Sequence, residues 1–390
     1  MSTLSSAAPL GGATPVLPAC RLVSLDVFRG LTVLLMLLVN NPGDYHFYYT
    51  PLVHAPWHGC RPADLIFPSF VFIMGVALVY GLGSVQPVRA LHRTTLWRVG
   101  RRAGVLLLLG LLIGLIPYFY FTSFRIPGVL QRIALVYAAC CVVFLKTNWR
   151  QQAGLLAFIL VLYNVLLQVV PVPGYGPANL APATNLGAWL DRLLFHQGHL
   201  FVEQEGWDPE GLLGTLPTIA TGLLGVLTGQ WLRQPAVEPT TKVVWLFVAG
   251  SGLVVAGCIW NGWFPINKPL WTSSYVLYAG GIDVLLVAAL YFLCDVQGWR
   301  GAWTLPLRVC GSNALLVFFL PEALERVLTK LKLHHADGTT FYLRNWLYQN
   351  LFAPYFRSPY YASLAYAIAY TALWVALLWV LYRRRLFFTA

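Results

Sequence analysis

The residues best suited to chemistry lie together in "HAPWHGCRPADLIF", His54 to Phe67. Here His54, Trp57, His58, Cys60, Arg61 and Asp64 interrupt two long apolar runs. A histidine changes charge near neutral pH and can act as nucleophile or general base. A loop histidine can equally be an ordinary surface residue. Other polar groups recur at the edges of apolar runs. "SLDVFRG" sets Asp26 and Arg29 three residues apart, on one face of a helix where they can pair. Ionisable groups in such places are costly and are functional or paired. Asn40 and Asn41 close the same run. Asp64 follows Pro62 and reads either as a first-turn helix acid or as a working carboxylate. "RIPGVLQRI" carries Arg125, Gln131 and Arg132, and "WDPEGLLGTLP" carries Asp208 and Glu210 as a helix-start pattern. "FPINKPLWTSS" holds Asn267, Lys268, Trp271 and Ser273, and "CGSNALL" holds Ser312 and Asn313.

The elements that must position these groups are membrane helices. Of the 390 residues, 58% are hydrophobic and 10% charged, where a soluble domain carries about 25% charged residues. Mean hydropathy is +0.65. The expected fold is all-α, a polytopic helix bundle. Spans of about 20 apolar residues are predicted at 24–42, 64–86, 103–122, 131–147, 152–171, 212–232, 243–262, 273–294, 303–321 and 360–382. The net charge of +12 does not point to nucleic acid, because the basic residues fall in short clusters between apolar runs. Those clusters, such as Arg98, Arg101 and Arg102 or Arg383 to Arg385, favour both termini on the cytoplasmic side. The loops 43–63, 123–130, 172–211, 263–272 and 322–358 then face outward. "LGAWLDRLLF", "ALERVLTKLKL" and "FYLRNWLYQNLF" read as interfacial amphipathic helices. Residues 1–20 lack a basic start and an apolar core, so they are expected to be a disordered tail and not a signal peptide. Residues 21–390 are expected to form a single transmembrane domain. The seven cysteines are odd in number and sit mostly in apolar runs, which suits small core residues better than disulfides or a metal site. No fixed-period repeat is visible. If the outward loops converge, their polar groups would line a cavity at one end of the bundle.

Several of these motifs, taken in order, resemble the heparan-α-glucosaminide N-acetyltransferase family, which includes the lysosomal enzyme and bacterial membrane homologues. They are "LDVFRG", "HAPWHG" and "ADLIFPSFVFIMG", followed by "RIPGVLQRIALVY", "DPEGLLGTLP", "NKPLWTSS" and "GSNALL". The resemblance runs from about Arg21 to the C-terminus. It implies a multi-pass protein of a bacterial cytoplasmic membrane. It also implies acetyl transfer from acetyl-CoA to the amine of a glucosamine-type sugar on the extracytoplasmic side, without a metal. By the same resemblance His54 is the active histidine and Asn40 belongs to its site. His58 stands where the lysosomal enzyme has another polar residue, so no catalytic role carries over to it. The lysosomal enzyme has an additional lumenal N-terminal domain, whereas this chain starts almost at "LDVFRG", so heparan specificity is not carried over. A homodimer fits the family but cannot be read from the chain.

In that chemistry His54 either attacks the thioester, giving an acetyl-imidazole, or takes a proton from the acceptor amine. Asn40 could donate to the carbonyl oxygen as charge develops. Asp26, Arg29 or Asp64 could orient the histidine or meet CoA phosphates, with the planar fork of Arg29 the better phosphate ligand. Trp57 and Trp271 could stack on a sugar or adenine, or lie in the interfacial aromatic belt. His58, Arg132, Asn267, Lys268, Ser273 and Asn313 complete the candidate substrate and CoA contacts. Two other classes compete. A transporter would also place polar groups among broken helices, but it would not acetylate. A non-catalytic partner protein would not need His54.

Overall fold

The computed structural model describes residues 22–83, 93–201, 206–334 and 339–388. The expected tail at 1–20 lies outside them, as does the end of the predicted span 64–86. The described chain is a polytopic membrane protein built of helices. They are α1 (Val23–Asn40), α2 (Ile66–Leu82), α3 (Arg93–Leu115), α4 (Val129–Lys146), α5 (Trp149–Val169), α6 (Leu186–Phe195) and α7 (Thr215–Leu232). There follow α8 (Pro239–Trp260), α9 (Ser273–Tyr291), α10 (Thr304–Ser312), α11 (Ala314–Lys330), α12 (Leu343–Leu351) and α13 (Pro359–Arg383).

Nine of the predicted spans each coincide with one of these helices and the span 303–321 with two, and not all make simple crossings. Among the described residues, seven helices are long and apolar enough to cross a membrane. Two long helices fall short in composition: α3 carries Arg98, Arg101 and Arg102, and α7 is diluted by four threonines and three glycines. The predicted span 303–321 is not one straight helix. It breaks at Asn313 into α10 and α11, which bend by 77°; as one broken span this pair would bring the number to eight. The Asn313 side chain explains the break, because it donates to the Leu386 carbonyl and accepts from the Phe388 amide instead of serving a helix. Helices form at α6 and α12, where amphipathic helices are expected. "ALERVLTKLKL" instead continues α11 as far as Lys330. A two-stranded ribbon, β1 (Lys332–His334) with β2 (Thr340–Tyr342), departs from the all-α expectation.

Small residues bring the helices together. In lipid no hydrophobic effect drives helix on helix, so close backbone contact must supply the packing. Along α7, Gly225 and Gly229 face α2 while Gly222 faces Cys140 of α4, and a Cβ added at Gly225 would lie 2.1 Å from the Phe72 carbonyl oxygen. A Cβ at Gly30 of α1 would meet the Leu307 carbonyl of α10 at 1.7 Å. Helix α2 is therefore held centrally between α1, α4, α7 and α9, and its Val71, Phe72 and Val76 are fully buried. The start of α1 is fixed from a distance. The Asp295 carboxylate accepts the amides of Val23 and Ser24 at 3.1 and 3.0 Å, which satisfies free helix-start donors. Near the other end of α1, the buried Arg344 of α12 donates to Glu325 of α11 and to the Pro42 carbonyl. Of the cysteines in the described residues, Cys140, Cys141, Cys294 and Cys310 are buried and Cys258 is exposed; none is in a disulfide.

Overpacking a tight helix contact costs about 1–3 kcal/mol. Gly225→Ala is therefore expected to lower the thermal unfolding midpoint of the detergent-solubilised protein. Gly252→Ala, whose added Cβ would meet nothing within 4 Å, is expected to leave the midpoint unchanged or raise it.

Candidate functional site

The site begins with one buried carboxylate. Asp64 lies in a 3-10 turn, Pro62–Leu65, that leads into α2. Its side chain is 1% exposed, while that of its partner His54 is 49% exposed. Asp64 Oδ2 accepts the backbone amides of Ala55 at 3.0 Å and Arg61 at 2.9 Å. Asp64 Oδ1 lies 2.8 Å from His54 Nδ1. A carboxylate that already takes two amides is an ionised acceptor, so Nδ1 carries the hydrogen and donates it. That fixes the tautomer and leaves the lone pair on Nε2. Tyr275 of α9 holds the turn from behind, donating to the Asp64 carbonyl at 2.6 Å. Arg61 Nη1 donates to the His54 carbonyl at 3.2 Å.

A second loop supplies a cation. Gly59 has φ of +102°, which a residue with a side chain rarely adopts. Its amide donates to the Ile266 carbonyl at 2.7 Å, so the 55–61 loop pairs with the loop between α8 and α9. Asn267 organises that second loop. It is fully buried, its amide donates to Thr272 Oγ1 at 3.0 Å, and its Oδ1 accepts the Leu270 amide at 2.8 Å. Lys268 is thereby carried to the imidazole. Its Nζ lies 3.2 Å from His54 Nδ1, 3.3 Å from Nε2 and 3.8 Å from Asp64 Oδ1. Burial pushes the Lys268 ammonium below its ordinary value, against the opposing pull of Asp64 and Glu210.

These groups open into a cavity of about 470 Å³. His54, Asp64, Lys268 and Asn40 all line it. Its apolar part is formed by Met36, Ile66, Phe67, Phe70, Ile113 and Phe318. Further polar lining comes from residues that the sequence presents only as turn and cap residues. There Arg125 Nε donates to Asp208 Oδ2 at 2.8 Å, and its Nη2 donates to Glu210. Burial pushes the Glu210 carboxyl up, but the nearby Arg125, Arg132 and Lys268 together hold it below the usual range. Glu322 and Arg326 of α11, paired at 3.1 Å, complete the lining. Their motif reads as an interfacial helix, and the only signal for a site role was the position of these loops at one end of the bundle.

The other candidates lie elsewhere. Asp26 and Arg29 pair at 3.6 Å as the spacing predicts, but at the opposite end of α1 from Asn40, about 20 Å away at 1.5 Å per residue. Arg132 is buried outside this cavity, donating to the Gly211 carbonyl at 2.8 Å with its guanidinium 5.5 Å from the Trp271 ring centre. Trp271 is a core residue, 1% exposed, donating to Thr221 Oγ1. That burial rules out a place in an interfacial belt. Trp57 is half-buried against Trp207 and donates to the Leu180 carbonyl. His58 Nδ1 lies 3.4 Å from Asn267 Nδ2. Ser273 is fully buried and donates to the Leu160 carbonyl. Asn313 sits at the α10–α11 break described above.

The sequence matches the family model described as "Heparan-alpha-glucosaminide N-acetyltransferase, catalytic" over residues 21–255. It is 30% identical over 361 residues to the Mus musculus protein named heparan-alpha-glucosaminide N-acetyltransferase, covering 79% of this chain and 54% of that protein. Against the Homo sapiens protein of the same name it is 30% identical over 362 residues, covering 78% of this chain and 53% of that protein. The chain thus spans about half the length of these relatives. With the family match covering more than half of its residues, this chain belongs to the heparan-alpha-glucosaminide N-acetyltransferase catalytic family.

Proposed function

We propose that this protein is a transmembrane acetyltransferase that moves an acetyl group from acetyl-CoA to the amine of a glucosamine-type sugar. The observation that carries the reading is the Asp64–His54 dyad at the wall of the 470 Å³ cavity. A histidine held in one tautomer by a buried carboxylate, with its other nitrogen unprotonated, is the arrangement that acyl transfer uses. Family membership supports the same chemistry. The basic clusters support an arrangement with both termini cytoplasmic and the His54 end of the bundle extracytoplasmic. On that arrangement all ten predicted spans cross, with α10 and α11 as one broken crossing, and residues 21–390 act as one domain in a bacterial cytoplasmic membrane.

The residues take these parts. Asp64 holds the His54 ring and offsets the charge that the ring gains as it reacts. His54 Nε2 adds to the thioester carbon, or takes the proton of the amine as the amine adds. Asn40, at the end of α1 on the cavity lining, donates to the developing oxyanion. The apolar stretch between Met36 and Phe318 receives the acyl-thioester arm. The carboxylates of Glu210 and Glu322 on the lining suit an acceptor that bears an amine and hydroxyls. Arg29, at the far end of α1, stays a candidate for contact with a phosphate group.

Purified protein given labelled acetyl-CoA and glucosamine is expected to form N-acetylglucosamine. His54→Ala is expected to abolish the product, and His58→Ala to keep it within a few-fold. A well-folded parent that consumes no acetyl-CoA with any amino sugar would point instead to transport of a polar solute. Asp64→Asn keeps the shape but loses the tautomer control, so kcat is expected to fall by about 10²–10⁴-fold with KM for acetyl-CoA little changed. Mass analysis of protein mixed with acetyl-CoA alone separates the two routes, because only direct attack by His54 leaves an acetyl group on it.

A further inference from the structure

We propose that Lys268 is a catalytic acid and base in this reaction, protonating the departing CoA thiolate and later collecting the proton of the acceptor amine. The proposal rests on the acetyl-transfer reading above. Its basis is position. Among the described cationic groups that line the cavity, Arg125 is engaged by Asp208 and Glu210 and Arg326 by Glu322. Lys268 instead contacts the imidazole itself, 3.3 Å from Nε2. Any carbon that Nε2 approaches therefore brings its oxygen and sulfur substituents within reach of Nζ.

The chemistry needs such a group. When a nitrogen adds to the thioester carbon, the carbonyl π pair moves to oxygen, where the ammonium of Lys268 stabilises it. The carbonyl then reforms and the C–S bond breaks, its electron pair leaving on sulfur. The thiolate takes a proton from Lys268 Nζ, giving free thiol and a neutral amine. As the acceptor nitrogen becomes an amide nitrogen it releases one proton. Neutral Nζ takes that proton, directly or from His54 Nε2 where the imidazole accepted it first, and Lys268 ends as the ammonium it began as. His54 cannot do this alone, because its Nδ1 hydrogen is held by Asp64 and its Nε2 is committed to the acyl carbon or the amine.

The surroundings of Nζ suit a group that both gives and takes a proton. Asp64 and Glu210 both draw on its charge, with the Cys60 thiol nearby. Burial and the cation of Arg132 oppose it, and Arg61 lies against the same histidine loop. A lysine so placed works closer to neutral pH than a solvated one.

The test uses the full-length protein in detergent, with Lys268→Arg and Lys268→Met. Arginine keeps the charge but does not release a proton. Both variants are expected to lose about 10²–10⁴-fold in kcat, with KM for acetyl-CoA within a few-fold. Added primary alkylamines are expected to restore turnover in Lys268→Met but not in Lys268→Arg. The pH profile of kcat separates proton transfer from a structural role: the limb that Lys268 contributes in the parent is expected to be absent from both variants. A Lys268→Met profile with the same limbs as the parent overturns the proposal. So does a near-parental rate in Lys268→Arg, or a loss confined to KM, which would make Lys268 a phosphate anchor. A parent protein that consumes no acetyl-CoA overturns the acetyl-transfer reading and this proposal with it.

Discussion

The structure around the site depends on keeping a charge on the buried Asp64 carboxylate. An ionised group taken from water without partners costs several kcal/mol or neutralises itself. Here the cost is offset by a histidine, two loop amides and a nearby ammonium. Those partners come from the loop after α1 and from the loop between α8 and α9. The carboxylate thus acts as the common acceptor that binds separate segments into one wall. Its ionisation also decides the hydrogen on His54, and through it which imidazole nitrogen keeps a lone pair.

The fold around that carboxylate is arranged by backbone contact. The glycines of α7 let α2 approach to the distance of its carbonyls, and Gly30 does the same between α1 and α10. This sets where α1 ends and α2 begins, and hence the span that the His54 loop must bridge. Tyr275 and the paired loop at Gly59 then fix the loop against α9. The cavity lies where these rigid ends meet, with apolar helix faces on one side and charged loop residues on the other. Such a division suits a substrate pair with one greasy arm and one hydroxyl-rich partner.

Charge alternates along the polar lining. Asp64 faces Lys268, the field of Glu210 reaches Lys268, and Glu210 is held by Arg125, which is held in turn by Asp208. Each ion offsets the burial of the next, so removing one leaves its neighbours uncompensated. This coupling explains why residues that are far apart in sequence must be placed together for any one of them to stay ionised.

The sequence alone determined the membrane class and the helix windows, because span length and apolar content are local properties, and it singled out "HAPWHG" and Asp64 as candidates. It also determined the Asp26–Arg29 pair, which needs only helical spacing. The role of Asp64 stayed open between cap and functional group, since both use an acid after a proline. Tertiary structure shows the cap, with Asp64 accepting the Arg61 amide at the start of its own turn, and it also brings His54 and Lys268 onto that acid across ten residues in one case and about two hundred in the other. It also buried Trp271 and Arg132 away from the cavity, broke the window 303–321 at Asn313, and drew Arg125 and Glu210 onto the lining. These outcomes depend on which helices touch. That contact rests on glycine-to-backbone fit between distant segments, and no local pattern of hydropathy records it.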